Sequence, residues 1–307
     1  MATLIKTIQF PGVDIVLQEW EKYKDIFVKD GIIPFRNAFI SFEEQKRLFV
    51  GLGEKIGWHV STPYDEDHRR IEKKTYDHCV LTWHVEHSYW QNPVSAASWY
   101  MHTFKEKNPK NGRTLFYPMD KYFDNLSEEE KEFSLSAYIK LIHDPDRGHN
   151  LYEFIDPSKN WSVGEEYVTK RPIAIDHFVS GKKVYRIANL GVLPDHFDSI
   201  HFLDNVNGEK PTKDQEKAYA RQTLQAKQKV AKNFASETDD ICLIHEWQEG
   251  DMLIPDLFKM AHSITGGFQS ANREFHGIWA NQFPWAVERK TYDNIITLVR
   301  NSNGDVH

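Results

Sequence analysis

Apolar residues recur along this chain at two different spacings, and each change of spacing marks an element. Behind Ser41, the residues Phe42, Leu48, Phe49 and Leu52 fall on one helical face, and Glu44 stands where it completes a capping box with Ser41. That pattern predicts a helix, preceded by a short strand at Ile32-Ile33-Pro34-Phe35. Residues 58–78 are polar and aperiodic, which predicts a loop. From 80 to 104 β-branched and aromatic residues take over, predicting two strands bridged by Gln91-Asn92-Pro93. Residues 126–142 read as a second helix, capped by Ser127 with Glu130. Further strands are predicted at 171–178 and 183–189, joined by a Ser180-Gly181 hairpin turn, and at 241–247, 251–256, 261–265 and 273–282. A long helix over about 211–235 carries charges suited to a solvated face. The expected fold is mainly β with added helices: an antiparallel sandwich or barrel in one domain over 1–307, with its core at about 30–282 and a helical insertion at about 205–240.

Composition narrows the function classes. A net charge of -7 gives no electrostatic footprint for nucleic acid or an anionic membrane, so neither is an expected partner. Two cysteines, Cys79 and Cys242, cannot frame a fold with disulfides and suit a reducing compartment. The N-terminal stretch has charges and a proline where a signal peptide needs an apolar run, and no segment approaches the ~18 apolar residues of a membrane span. A cytoplasmic protein acting on a small molecule is expected, and a homo-oligomer is compatible with these features. The 9 Trp, 13 Tyr and 19 Phe suit thick sheets and apolar pockets without naming a ligand.

The stretch LTWHVEHSYW, 81–90, carries the first candidate chemistry. On a strand, His84 and Glu86 point to one face and can converge on one ion. The pair alone is weak: among 15 His and 45 Asp+Glu in 307 residues, His-x-[Asp/Glu] arises about twice by chance, and it occurs twice, the other being His196-Phe197-Asp198. A third ligand is needed, and His262 supplies one, after the Glu249-Gly250-Asp251 turn and the strand-like Met252-Leu253-Ile254-Pro255. Two histidines and one carboxylate make the facial triad of non-haem Fe(II) oxygenases, which leaves three coordination positions open.

In order, WHVEH, a Gly-Arg-Thr-Leu segment, a Trp-x-x-Gly-Asp turn, a distal histidine and an arginine resemble the taurine dioxygenase family of Fe(II)/2-oxoglutarate-dependent oxygenases over about residues 30–280. The resemblance implies a double-stranded β-helix, or jelly roll, with Fe(II), 2-oxoglutarate and O2 as cofactor and co-substrates. It implies iron ligands at His84, Glu86 and His262. It places Arg273, 11 residues beyond His262, on the far carboxylate of 2-oxoglutarate, where a planar guanidinium can bind bidentately. Thr114 matches the threonine that helps hold the same carboxylate. Toward the substrate it points to Tyr64, with His59 and Trp83 as further candidates. Trp83, Tyr89, Trp90 and Trp99 are pocket or core residues.

The chain departs from the taurine enzymes at the substrate end. Four residues after Arg273, where they carry a second arginine for the sulfonate, stands Gly277; Val80 replaces an asparagine and Ser61 a histidine. Without that anion clamp, taurine gives way to an amino acid or another small polar molecule as the expected substrate, hydroxylated at an unactivated C–H bond with release of succinate and carbon dioxide. Desaturation and cyclisation use the same cofactors. Halogenation does too, although Glu86 occupies the metal position that halogenases leave to halide. A zinc hydrolase with the same ligands gives no reason for Arg273, and a jelly-roll binding module needs the triad to be coincidence.

Overall fold

The computed structural model describes residues 2–60, 75–76, 81–86, 94–136, 138–142, 168–172, 174–186, 212–214, 241–269 and 272–282. The chain opens with β1 (Thr3–Leu4), β2 (Ile8–Gln9), α1 (Val13–Gln18), α2 (Trp20–Asp30), β3 (Ile32–Arg36), α3 (Phe42–Ile56) and β4 (His59–Val60). It continues through β5 (Thr75–Tyr76), β6 (Leu81–His84), β7 (Val94–Phe104), β8 (Thr114–Pro118), α4 (Met119–Asp124) and α5 (Glu128–Ser136). Next come β9 (Tyr138–Ile142), β10 (Val168–Pro172), β11 (Ala174–Asp176) and β12 (Lys183–Tyr185). The last elements are β13 (Leu243–His245), β14 (Met252–Pro255), β15 (Met260–Ile264), β16 (Phe268–Gln269) and β17 (Arg273–Asn281).

Two large sheets form the body, one of five strands in the order β1-β13-β8-β15-β6, the other of six in the order β2-β3-β14-β7-β17-β4. Most pairs are antiparallel, but β1 joins β13 and β2 joins β3 in parallel, so both sheets are mixed and neither closes into a barrel. The N-terminal segment thus spans the two sheets: β1 edges one, β2 edges the other, and Ile5 between them packs against the core. The strands on either side of 91–93 likewise belong to different sheets, β6 to the five-stranded and β7 to the six-stranded one.

Strand alternation sorts the core into layers. On the outer face of the six-stranded sheet, Phe35, Ala96, Tyr100, Met252, Ile254 and Ile278 pack against α1, α2 and α3 through Val16, Phe27, Leu48, Phe49 and Leu52. Each fully buried Val, Leu, Ile, Phe or Met side chain among them stabilises by roughly 1.5–3 kcal/mol against exposure. The predicted face of α3 is therefore the buried one, and its Ser41/Glu44 capping box is present. On the outer face of the five-stranded sheet, Leu115, Tyr117, Ile244 and Ala261 pack against α4 and the β11–β12 hairpin. Between the sheets lie Trp99, Met101, Phe116, Trp247, Leu253 and Met260.

Two predicted elements are corrected. The helix over 126–142 stops at Ser136, although Ser127 and Glu130 do cap it, and Tyr138–Ile142 forms a strand paired with β10. Tyr138, Ile139 and Ile142 suit a pleated surface, and a ladder with β10 outweighs the helical spacing. The expected strand at 171–178 is also divided: Val168–Pro172 pairs with β9, whereas Ala174–Asp176 forms the hairpin with β12. Gly181, at φ 68, serves that turn. Nearly all of the predicted helix at 211–235 lies outside the described residues, as does most of the 205–240 insertion. Among the described residues, no helix is long and apolar enough to cross a membrane.

Candidate metal centre

Antiparallel register between β15 and β6 sets His262 directly opposite His84. Both belong to the row of residues that faces the other sheet, because His262 also pairs with the inter-sheet residue Phe116 on β8. Their rings stand 4.1 Å apart, inclined at 54°. Glu86 lies two residues past His84, but β6 ends at His84 and Glu86 sits in the turn that follows. The expectation that both project from one strand face is thus corrected: the chain's departure from the sheet brings the carboxylate around. Glu86 Oε2 comes to 3.4 Å from His262 Nε2 and 3.6 Å from His84 Nε2. One donor atom from each of the three residues lies within 4.8 Å of the other two.

The electrostatics favour metal-ready donors. Burial, with His84 adding repulsion, pushes the His262 pKa down to about 4 despite the attraction of Glu86. At neutral pH its ring is uncharged and a lone pair is available to a cation. His262 is buried while His84 and Glu86 remain partly exposed, so the group is open on the side of β6. From the facing sheet Trp99 meets His262 edge-on at 5.1 Å between ring centres and stacks on Phe116 at 5.9 Å, which fixes the imidazole plane.

Arg273 begins β17, on the opposite sheet from the histidines. A register shift between Glu274 and Phe275, where His102 is the unpaired residue of β7, sets Phe104 opposite Arg273. The guanidinium lies between the Phe104 and Phe268 rings, 5.8 and 4.7 Å from their centres, and touches the site where a Cβ on Gly112 would stand. Burial lowers its pKa to about 10, offset in part by Glu106, and it stays charged. Glu106 is occupied elsewhere, accepting hydrogen bonds from the Gln269 amide and the Asn111 and Asn272 side chains. Among the described residues Arg273 makes no hydrogen bond or ion pair. A partly buried guanidinium flanked by aromatic rings, with only the more distant attraction of Glu106, fits an anionic ligand with two parallel acceptors.

Thr114 is buried in β8, two residues past Gly112. Its hydroxyl accepts a 2.8 Å hydrogen bond from Trp247 Nε1. His59, on the outermost strand β4, is exposed and pairs with Asn281, which by alternation places it on the face that carries Gly277 and Trp279. It therefore belongs to the sheet opposite the three donors. Tyr64, Tyr89 and Trp90 lie outside the described residues, as does the side chain of Trp83.

Sequence reasoning overlooked the residues that hold the site together. Asp251, the last residue of the Trp-x-x-Gly-Asp turn, is fully buried and accepts from Arg36 Nε at 2.9 Å and Nη2 at 3.0 Å, and from the Gln248 amide at 2.8 Å. His245 Nε2 lies 3.0 Å from the same carboxylate. The turn is an anchor, and its composition of Gly and Asp was the available signal.

The family model for the taurine catabolism dioxygenase TauD, TfdA family matches residues 3–279. The chain belongs to this family. Members of the TauD/TfdA family are 2-oxoglutarate-dependent dioxygenases that use Fe(II), 2-oxoglutarate and O2. The zinc hydrolase and the binding module are thereby set aside. A search of curated proteins finds no match. Among solved structures, AAD-2 in complex with Mn(II) and N-oxalylglycine is 15% identical, with a TM-score of 0.56 over 86% of this chain and 87% of that one. A putative alpha-ketoglutarate dependent 2,4-D dioxygenase from Burkholderia xenovorans is 14% identical, with a TM-score of 0.58 over 92% and 93%. A taurine dioxygenase from the same organism is 13% identical, with a TM-score of 0.53 over 86% and 80%. At these identities the likeness establishes the TauD/TfdA jelly-roll fold.

Proposed function

We propose that this TauD/TfdA dioxygenase holds Fe(II) with His84, Glu86 and His262 and 2-oxoglutarate with Arg273 and Thr114, and that it hydroxylates an unactivated C–H bond of a small polar molecule. The observation that carries the reading is the pairing of two incomplete sites across one layer. A two-histidine, one-carboxylate donor set lies on one sheet, and on the other a partly buried guanidinium, flanked by two phenyl rings, has no ion partner among the described residues. Nitrogen and carboxylate oxygen donors suit Fe(II), and a dicarboxylate whose one end chelates the metal can offer its other end to Arg273. When bound, the metal and 2-oxoglutarate supply dioxygen activation coupled to oxidative decarboxylation, with succinate and carbon dioxide as products.

The protein's own contribution is placement. His262 and His84 present ring nitrogens from paired strands, that of His262 neutral; Trp99 and Phe116 hold the His262 ring, and the apolar layer shields the His262 side of the centre from water. Along β17, Arg273, Phe275, Gly277 and Trp279 form one row by alternation, so the substrate end of the cleft begins past Phe275. There a Cβ at Gly277 would stand 2.6 Å from the Trp279 ring, so the indole lies across the glycine. A flat, neutral wall of this kind offers no cation to a taurine sulfonate and supports another small polar molecule, an amino acid included where its carboxylate is met by another part of the site. We take the whole chain as one catalytic domain.

Addition of Fe(II) and 2-oxoglutarate without oxygen should give a weak visible charge-transfer band that is lost in Glu86→Ala. Screening amines, amino acids, sulfonates and phosphonates for stimulated succinate release then identifies the substrate class. Absence of both the band and aerobic succinate in the wild type would sink the metal and co-substrate assignments.

A further inference from the structure

The function given above assigns Thr114 and Arg273 to the co-substrate but leaves Trp247 without a role. Trp247 is almost fully buried between the two sheets and touches both. Its Nε1 donates to Thr114 Oγ1 on the five-stranded sheet at 2.8 Å. Its ring meets Phe275, two residues past Arg273 on the six-stranded sheet, edge-on at 5.5 Å and 87°. A second edge-on contact, 4.5 Å between ring centres, ties it to His245, which is held in turn by the buried Asp251.

Hydrogen-bond accounting gives this placement a consequence. An indole N–H can only donate, so Thr114 meets it as an acceptor, and the hydroxyl's single proton must point elsewhere. No acceptor for that proton is found among the described residues. The same is true of the Arg273 guanidinium, which lies against Gly112, two residues before Thr114. Among the described residues, a buried hydroxyl donor and a partly buried guanidinium therefore stand without acceptors on neighbouring segments. Leaving either unmet is unfavourable, and a single carboxylate satisfies both.

We infer that Trp247 is a positioning residue for the co-substrate: by donating to Thr114 it turns the threonine hydroxyl into an obligate donor toward the carboxylate that Arg273 binds. This rests on the proposed function. Were the indole N–H missing, nothing would fix the rotation of the hydroxyl, and its hydrogen bond to the carboxylate would be only partly populated.

The test is calorimetric titration of 2-oxoglutarate into the Mn(II)-loaded full-length protein, for the wild type, Trp247→Phe, Thr114→Val and the double variant. Trp247→Phe should weaken binding about tenfold, the value of one net hydrogen bond, and should have no further effect once Thr114 is valine. Thr114→Ser, which keeps the hydroxyl, should bind within about twofold of wild type. Equal weakening by Trp247→Phe in both backgrounds, or none in either, overturns the inference while the proposed function stands. Failure of the wild type to bind 2-oxoglutarate overturns the proposed function itself. Should Trp247→Phe not fold, indole N–H resonances of protein labelled with 15N-tryptophan decide. The resonance displaced by Thr114→Val must be one that also moves on addition of 2-oxoglutarate; if it does not respond, the inference fails.

Discussion

Two glycines with nearly the same backbone provide a controlled test of the Arg273 cradle. Gly112 has φ +64 and Gly181 φ +68, so alanine at either position meets the same left-handed penalty of about 1 kcal/mol. Their surroundings differ. Around Gly181 nothing lies within 4 Å of a new Cβ, whereas at Gly112 it would collide with Arg273 Nη1 and come to 2.9 Å from the Phe268 ring. Gly181→Ala should lose roughly 2 °C of melting temperature, the scale of 1 kcal/mol in a chain of this size, and Gly112→Ala at least as much. Only Gly112→Ala should displace the guanidinium, which would break one arm of a bidentate carboxylate contact. One charge-assisted hydrogen bond is worth about 1.5–3 kcal/mol, so 2-oxoglutarate should bind about 10- to 100-fold more weakly. Titration of the Mn(II)-loaded variants beside their thermal melts reads both quantities. If Gly112→Ala matches Gly181→Ala in affinity as well as melting, Arg273 is not the group that holds the co-substrate.

The low pKa of His262 makes the metal-free protein sensitive to acid. Its folded-state value of about 4 lies below the ordinary 6.5, so the unfolded chain binds more protons between the two, and stability falls as pH drops from 6.5 toward 4. The loss is about 3 kcal/mol from this residue, visible as a falling urea midpoint between pH 7 and pH 4 that His262→Gln flattens and bound Mn(II) opposes. A second structural prediction concerns Asp251, which serves three donor groups at once. Asp251→Asn should cost about 3 kcal/mol by stranding the Arg36 guanidinium, as measured by urea denaturation; a cost below about 0.5 kcal/mol would show that the turn does not depend on this carboxylate.

What could be read before the structure was what lies close in sequence or rests on a short local rule. The capping boxes at Ser41 and Ser127, the strands at Ile32 and Arg273 and the Ser180-Gly181 turn all follow from nearest neighbours. His84, Glu86 and His262 could be singled out because metal chemistry restricts ligand types, and the structure brings their donor atoms together. Their convergence, however, depends on the β6–β15 register and on a turn at Glu86 that periodicity does not reveal. The strand Tyr138–Ile142 was lost to helix because its partner, β10, lies some distance along the chain. Trp247 escaped notice as a site residue for a similar reason: its meaning depends on Thr114, 133 positions away.

Division of the site between two sheets makes inter-sheet packing a determinant of chemistry. The donor set belongs to the five-stranded sheet and the guanidinium to the six-stranded one, and facing sheets pack about 10 Å apart. On the proposed assignment the co-substrate spans that gap, which would then have to be held open to a fixed width. Large rings do this well, since they fill depth with few rotatable bonds. Trp99 stacked on Phe116 beside His262, and Trp247 set against Phe275 beside Arg273, stand at the two ends of the span. The abundance of aromatics, uninformative as composition, becomes intelligible here: these rings support the walls of the layer in which metal and co-substrate would meet. A ring lost from either pair would alter the distance between donors and guanidinium, even where no ligand-contacting atom had changed.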